Sequence, residues 1–155
     1  MLIADIMRRD PIKVRPDTAF KSLLGLHDAL SPFQIHVVDE ADRLLGVISA
    51  YDLIRMVIPE YMLNGLADNL GGVIGDDLAL VRKRVRSHQA KTAADIMSTD
   101  VEFLRPDDPC LKANVLIVER KYNSMPVLDE SGTLLGELTR RDVLVHLARH
   151  ALNGD

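Results

Sequence analysis

The chain has 155 residues, 19 Lys and Arg against 23 Asp and Glu for a formal charge of −4, 47% hydrophobic residues and 27% charged ones. That balance excludes wholesale disorder, and the mild acidity argues against a dedicated nucleic-acid binder, which carries a basic footprint. With three Phe, three Tyr and no Trp, the core falls to Leu, Val and Ile. A chain of this length buries roughly two-thirds of its unfolded surface and needs no disulfide or metal staple. The single cysteine, Cys110, excludes an internal disulfide and fits a reducing compartment. An acid arrives at Asp5, too soon for a secretory apolar region. No stretch approaches the roughly 18 apolar residues of a membrane span. The expectation is a soluble, cytoplasmic protein without membrane insertion.

In chain order, Ile12–Val14 reads as a short extended segment ending at Arg15-Pro16, because proline disfavours helix in the residue before it. Asp17 or Thr18 then caps a helix to about Leu30, with Phe20, Leu23, Leu24 and His27 at helical spacing. Gln34–Asp39 and Leu44–Ser49 read as strands joined by Glu40–Arg43, a connection short enough for an antiparallel hairpin. A helix follows over Ala50–Ile58 and stops at Pro59. In the connector, Leu63, Leu66, Leu70 and Val73 form a helical stripe, broken by Gly71, Gly72 and Gly75. Asp76 and Asp77 open another helix, with Leu78, Val81 and Val85 on one face and Arg82, Lys83, Arg84 and Arg86 near its end. Acids first and bases last match the helix dipole, which gives that basic cluster an ordinary explanation. The remaining elements are extended Glu102–Leu104, helix Pro109–Arg120, strands Ser124–Asp129 and Leu134–Thr139, and helix Arg141–Ala151. Gly132 supplies the expected turn glycine between those two strands.

The second set of elements is a copy of the first. Ala4-Asp5-Ile6-Met7 recurs as Ala94-Asp95-Ile96-Met97, an offset of 90 that also carries Arg15-Pro16-Asp17 onto Arg105-Pro106-Asp107 and Leu44-Leu45-Gly46 onto Leu134-Leu135-Gly136. Residues 4–56 and 94–146 align without a gap, and 16 of the 53 pairs are identical. The chain is a duplicated β-α-β-β-α unit. The expected fold is mixed α/β: two such repeats packed with pseudo-twofold symmetry, paired clefts between them, and a helical connector. Residues 1–59 form repeat 1, 60–93 the connector and 94–155 repeat 2.

Each repeat places a hydroxyl and an acid where a strand gives way to a helix, Ser49 with Asp52 and Thr139 with Asp142. Free N–H groups and the positive end of the helix dipole favour an anion there. A carboxylate in the first turn can accept both hydroxyls of a ribose, as in dinucleotide folds. The same S/T-x-x-D spacing is also an N-terminal capping box, and the two readings are compatible.

The opening D-I-M, the R-P-D, the strand Met125-Pro126-Val127-Leu128-Asp129, and the segments Gly46–Asp52 and Gly136–Asp142 resemble a CBS domain pair, the family named from cystathionine beta-synthase. No single motif is specific, but their order at constant offset is. Two positions depart from the pattern: His36 stands where proline is frequent, and Glu137 is polar at a usually apolar strand position. The resemblance implies a regulatory module that binds adenosine-containing nucleotides, with AMP or ATP foremost, in clefts between the repeats. No cofactor is required, and the regulated partner is an unidentified enzyme or transporter. Each cleft then combines the Ser49–Asp52 or Thr139–Asp142 pair of one repeat with strand-edge residues of the other. Adenine is expected near Ile12 and Lys13 or Val101–Phe103, beside Phe33, Gln34 and Ile35 or Asn123, Ser124 and Met125. Val47, Pro126 and Glu137 complete the candidate lining. Arg140 and Arg141 are the first candidates for phosphate, with Lys13 and Arg105 behind them; Arg141 falls to the ligand of Asp52 and Tyr51 to the other. Ala50 and Tyr51 stand opposite the two arginines, so the clefts are unequal.

Other features have plainer explanations. His146 and His150 lie four apart on a helix, a metal-binding spacing that lacks a third ligand. His27 and His36 read as satisfied core residues. Cys110 has no electropositive surroundings and reads as part of an amphipathic helix. No nucleophile–base pair or Gly-rich phosphate loop supports an enzyme. The connector stripe must be covered by the module itself or by a second subunit. The resemblance favours a homodimer, since family modules commonly pair, and the alternative to ligand sensing is a homodimeric scaffold that binds no nucleotide.

Overall fold

In the computed structural model, which describes residues 1–26, 28, 34–59, 63 and 77–153, each half of the chain begins with a leader helix that leaves its own repeat. The elements are α1 Ile3–Ile6, β1 Ile12–Val14, α2 Phe20–Leu24, β2 Ile35–Val38, β3 Leu44–Ile48, α3 Ala50–Val57, α4 Asp77–Ser87, α5 Ala93–Ile96, α6 Cys110–Arg120, β4 Ser124–Leu128, β5 Leu134–Thr139 and α7 Arg140–Asn153. In repeat 1, β1 pairs parallel with β2, which pairs antiparallel with β3. In repeat 2, β4 and β5 form a two-stranded antiparallel sheet. The ladder slips at Val37/Val38 and again at Val127/Leu128, positions 90 apart. The left-handed turn positions also correspond, Asp42 at φ 61° and Gly132 at φ 84°. The fold is the expected mixed α/β duplication.

Two local expectations need correction. The extended segment expected at Glu102–Leu104 is no strand: Leu104 alone forms a parallel bridge, to Val127. His36, the counterpart of Pro126, sits in the middle of the β1–β2 register opposite Lys13. Proline has no N–H to give such a ladder, so the third strand of repeat 2 does not extend. Neither Asp17 nor Thr18 caps α2 either. Ala19 holds the N-cap position without a side-chain bond, and the Phe20 N–H donates to the Lys91 carbonyl (3.0 Å) instead. The helix expected to run to Leu30 is described as α2 and the turn after it. Its later residues, with His27 and Phe33, lie outside the described residues, as do Leu66, Leu70, Val73, the connector glycines and Asp76.

The backbone that replaces the α2 cap belongs to the other leader. Ile3 and Met7 are buried with Leu104, Ala113, Ile117, Met125, Val127, Leu138 and Val143 of repeat 2. Reciprocally, Ala93, Ile96 and Met97 pack with Phe20, Leu23, Ile35, Val37, Ile48 and Leu53 of repeat 1. The bridges come in symmetric pairs, Leu2–Pro109 with Ala19–Thr92 and Arg8–Glu137 with Val47–Ser98. Each repeat therefore completes its core with the leader of the other, which makes the halves mutually dependent.

This crossing explains the glycines of the two Gly-h-h segments. A Cβ on Gly136 would stand 2.2 Å from the Arg8 carbonyl oxygen, and one on Gly46 would stand 2.7 Å from that of Ser98. The leader backbone passes over these positions at a distance no side chain permits. A third cluster joins the halves at the hairpin ends, where Val38, Leu128 and Leu134 are buried together. There the Leu44 N–H donates to the Gly132 carbonyl (3.0 Å) and the Leu134 N–H to that of Asp42 (2.9 Å).

Candidate functional site

The duplicated strand-to-helix junctions have nearly the same geometry. In repeat 1, Asp52 Oδ2 accepts from the Ser49 N–H (2.8 Å) and Ser49 Oγ (3.0 Å), while the Asp52 N–H donates to Ser49 Oγ (3.2 Å). In repeat 2, Asp142 Oδ2 accepts from the Thr139 N–H (3.2 Å) and Oγ1 (2.6 Å), and the Asp142 N–H donates back (3.1 Å). These are complete capping boxes, so the capping reading holds, and the acids stay half-buried at the helix starts. Ser49 holds the extended conformation of an N-cap, φ −93° and ψ 164°, from which its side chain meets the Asp52 N–H.

The surroundings then diverge. Arg8, at the end of the repeat 1 leader, places Nε 3.1 and 3.0 Å from the two oxygens of Asp142. Its counterpart beside Asp52 is Ser98, whose N–H and carbonyl pair with Val47 at 2.9 and 3.0 Å. Beside Asp52 a cavity of about 270 Å³ opens, lined also by Arg55, Met56, Leu63, Arg84, Asp95 and Ile96. Arg8, Arg55 and Arg84 were not among the residues singled out for phosphate. Comparing position 8 with 98 and 55 with 145 was the signal available in the sequence.

The remaining candidates separate into groups. Lys13 is exposed and pairs with Asp42 (3.2 Å). Arg105 gives its guanidinium to the Leu128 and Asp129 carbonyls and lies 4.8 Å over the exposed Phe103 ring. The Asn123 carbonyl accepts from the Arg140 N–H (2.9 Å). The side chains of Arg140, Arg141 and Tyr51 are exposed, and Val101 is half-buried. Gln34 reaches across to the Ser124 carbonyl (3.4 Å), its counterpart position in the other repeat. Phe33 lies outside the described residues.

The two departures from the family pattern meet. His36 (0% exposed) and Glu137 (1%) approach to 3.8 Å between Nε2 and Oε2. His36 Nδ1 lies 3.1 Å from the Ile12 carbonyl, which places the ring proton on Nδ1 and leaves Nε2 without a hydrogen bond. Ser124 Oγ donates to Glu137 Oε2 (2.7 Å). Burial lowers the His36 pKa to about 4, the Ile12 carbonyl opposing and Lys13 adding to that shift. Burial likewise raises that of Glu137, with the Ser124 hydroxyl and Arg8 pulling the other way. His36 was expected to be a satisfied core residue; it is buried, but only one ring nitrogen is satisfied.

Elsewhere, the His146 and His150 rings lie tilted at 54° to one another with centroids 4.4 Å apart. Cys110 opens α6 with Pro109 at the N-cap, and burial raises its thiol pKa. Among the described residues no group of three or more His, Cys, Asp and Glu is arranged to hold a metal, and no helix is long and apolar enough to cross a membrane.

An exchanged-leader duplication with a capped aspartate at each junction defines a paired-repeat module. The chain belongs to the CBS domain family, whose model matches residues 3–58 and 93–149. It is 26% identical over 137 residues to the chloroplastic CBS domain-containing protein CBSX2 of Arabidopsis thaliana, covering 84% of this chain and 56% of that one. The crystal structure of CBSX2 in complex with AMP superposes with a TM-score of 0.71 at 24% identity, covering 97% of this chain and 98% of that one. Over 117 residues the chain is 32% identical to the magnesium transporter MgtE of Thermus thermophilus, covering 76% of this chain but 19% of the transporter. The cytosolic domain of MgtE in complex with ATP gives a TM-score of 0.62 at 26% identity, covering 91% of this chain and 46% of that one. The CBS domain pair of MJ0100, solved with 5-methylthioadenosine and S-adenosyl-L-methionine, shares the fold, with a TM-score of 0.67 at 17% identity over 96% of each chain.

Proposed function

We propose that the protein is a regulatory module that binds an adenosine nucleotide between its repeats and signals its presence to a partner enzyme or transporter. The observation that carries this reading is the pair of carboxylates, Asp52 and Asp142. Each is pre-oriented at a helix N-terminus by its own Ser49 or Thr139 and lies against the leader of the opposite repeat. A carboxylate there accepts ribose hydroxyls while the helix start favours phosphate. AMP bound to CBSX2 and ATP bound to the cytosolic domain of MgtE support the ligand class. Because each leader completes the core of the other half, a ligand that changes the pose of one repeat is felt by both. The module works without catalysis, in the cytoplasm.

The exposed side chains of Leu111, Val115 and Val118 on α6 and of Leu144 and Leu147 on α7 form an apolar face on adjoining helices. A second copy covers this face in our reading, since a twofold axis sets identical stripes against one another. Sedimentation of the native chain and of Val118→Glu tests this: the dimer dissociates in the variant, and a monomeric native chain rejects it.

Thermal unfolding with AMP, ADP, ATP, S-adenosylmethionine, NAD and cyclic dinucleotides tests the ligand. At 100 times the dissociation constant, linkage adds about 2.7 kcal/mol of stability. The stabilisation is lost in the double variant Asp52→Asn, Asp142→Asn. A panel with no response, together with a protein partner recovered on the apolar face, favours the scaffold instead.

A further inference from the structure

The two junctions share a backbone but not a charge distribution. At Asp142 the leader already supplies a cation. The Arg8 backbone is pinned to Glu137 by two hydrogen bonds of 2.8 and 2.9 Å, and its Nε contacts both Asp142 oxygens. The Glu137 carboxylate also attracts the Arg8 guanidinium. A ribose entering there would have to displace the Arg8 guanidinium from the carboxylate it already holds through both oxygens.

At Asp52 the position of Arg8 is taken by Ser98, and the space beside the acid is the 270 Å³ cavity. Arg55, on its wall, has Val145 as its counterpart in repeat 2. Arg84 comes from α4, outside the duplicated unit, and its Nε is buried without a hydrogen-bond partner. The two acids of the cavity are partly committed, Asp52 to Ser49 and Asp95 to the Thr92 N–H and Oγ1 at 2.9 and 3.1 Å. Arg55 and Arg84 both line the space, so two guanidinium side chains border it. A phosphate suits that pair of cations, and the neighbouring carboxylate suits the hydroxyls of the attached sugar.

Resting on the adenosine-ligand reading, we propose that the two clefts have different roles: the Asp52 cleft takes the nucleotide, with its phosphate on Arg55 and Arg84, while Arg8 closes the Asp142 cleft. The connector helix α4 then reports the phosphate end of the ligand, and Asp142 acts as a structural tie between the leader and repeat 2. Arg84 thus gives the basic end of α4 a function beyond complementing the helix dipole.

Calorimetric titration of the full chain with AMP, ATP and adenosine tests this, with the urea midpoint of every variant measured to separate loss of the site from loss of the fold. One nucleotide binds per chain. Asp52→Asn abolishes binding. Arg84→Gln weakens AMP and ATP tenfold or more and leaves adenosine unchanged. Arg8→Ser creates a second site. Two nucleotides per native chain, or loss of binding in Asp142→Asn but not in Asp52→Asn, overturns the assignment while leaving the adenosine reading intact. Equal effects of Arg84→Gln on AMP and adenosine overturn the phosphate placement. If none of the three ligands binds, the assignment falls, and the thermal panel of adenosine compounds decides the reading beneath it.

Discussion

Repeat 1 and repeat 2 keep the same backbone devices and differ in the side chains that meet between them. Ser49–Asp52 and Thr139–Asp142 close equivalent capping boxes. Asp39 and Asp129 each use Oδ1 to accept two turn N–H groups, at 2.9 and 3.0 Å in repeat 1 and at 2.9 Å twice in repeat 2. The crossing leaders use the same bridges. Against this, His36 faces Glu137 where symmetry would give Pro126 facing Val47, and Arg8 stands where repeat 2 has Ser98. Backbone geometry is constrained in both copies by the same hydrogen bonds. The residues nearest the pseudo-axis meet a non-identical partner, so each position was free to specialise once the other compensated.

The leader crossing is the element whose disruption costs most. Gly136→Ala forces a Cβ against the Arg8 backbone, and overpacking against backbone that cannot rotate away costs about 3 kcal/mol or more. Gly46→Ala meets the Ser98 carbonyl at a longer 2.7 Å, and its other near contacts belong to the flexible Met97 side chain. Urea unfolding is expected to show the larger loss for Gly136→Ala. Equal losses would mean that the two crossings are energetically equivalent.

Next in size is the buried histidine. Its pKa falls from 6.5 in the unfolded chain to about 4 in the folded one, so below pH 6.5 the unfolded state binds the extra proton. Stability is fully present above pH 6.5 and falls on acidification to about pH 4, a loss of about 3 kcal/mol. Glu137, raised by burial, acts in the opposite sense: its neutral form is favoured on folding, so its contribution declines as pH rises above the unfolded value of 4.5. Denaturation midpoints across pH 4–7 for His36→Asn and Glu137→Gln separate the two. The asparagine variant flattens the acid limb, and the glutamine variant removes the opposing slope. An unchanged acid limb in His36→Asn would show that this group does not control it.

The hairpin turns give the smallest effects. Gly132→Ala places a Cβ at φ 84° in open space, so its cost is the left-handed backbone alone, about 1 kcal/mol. Asp42→Gly relieves a similar strain at φ 61° but loses the exposed contact with Lys13, for a net change within about 0.5 kcal/mol. Thermal midpoints that fall equally for both would remove the distinction between the turns.

Much of the architecture was legible because it was written twice. The hairpins, α3, α6 and α7 follow from apolar runs, turn residues and caps that recur at a fixed offset, and so do both S/T-x-x-D junctions. The third strand of repeat 2 misled because hydrophobic pattern is read along one segment. Its failure lies in a missing N–H on Pro126, a residue of the neighbouring strand. The α2 cap misled for a related reason, since backbone from the other leader satisfies the Phe20 N–H and no local side chain is needed.

The sequence by itself determined the duplication, the class of fold, the pair of capped aspartates and even the two unusual residues, His36 and Glu137. Those are properties of local order and periodicity. Only the tertiary structure decided that the leaders cross, that Gly46 and Gly136 lie beneath them, that the two unusual residues touch, and that Arg8 rests on Asp142 while Arg84 lines the space beside Asp52. Each is a contact between residues far apart in the chain, set by how two half-cores complete one another and not by the preferences of either segment alone.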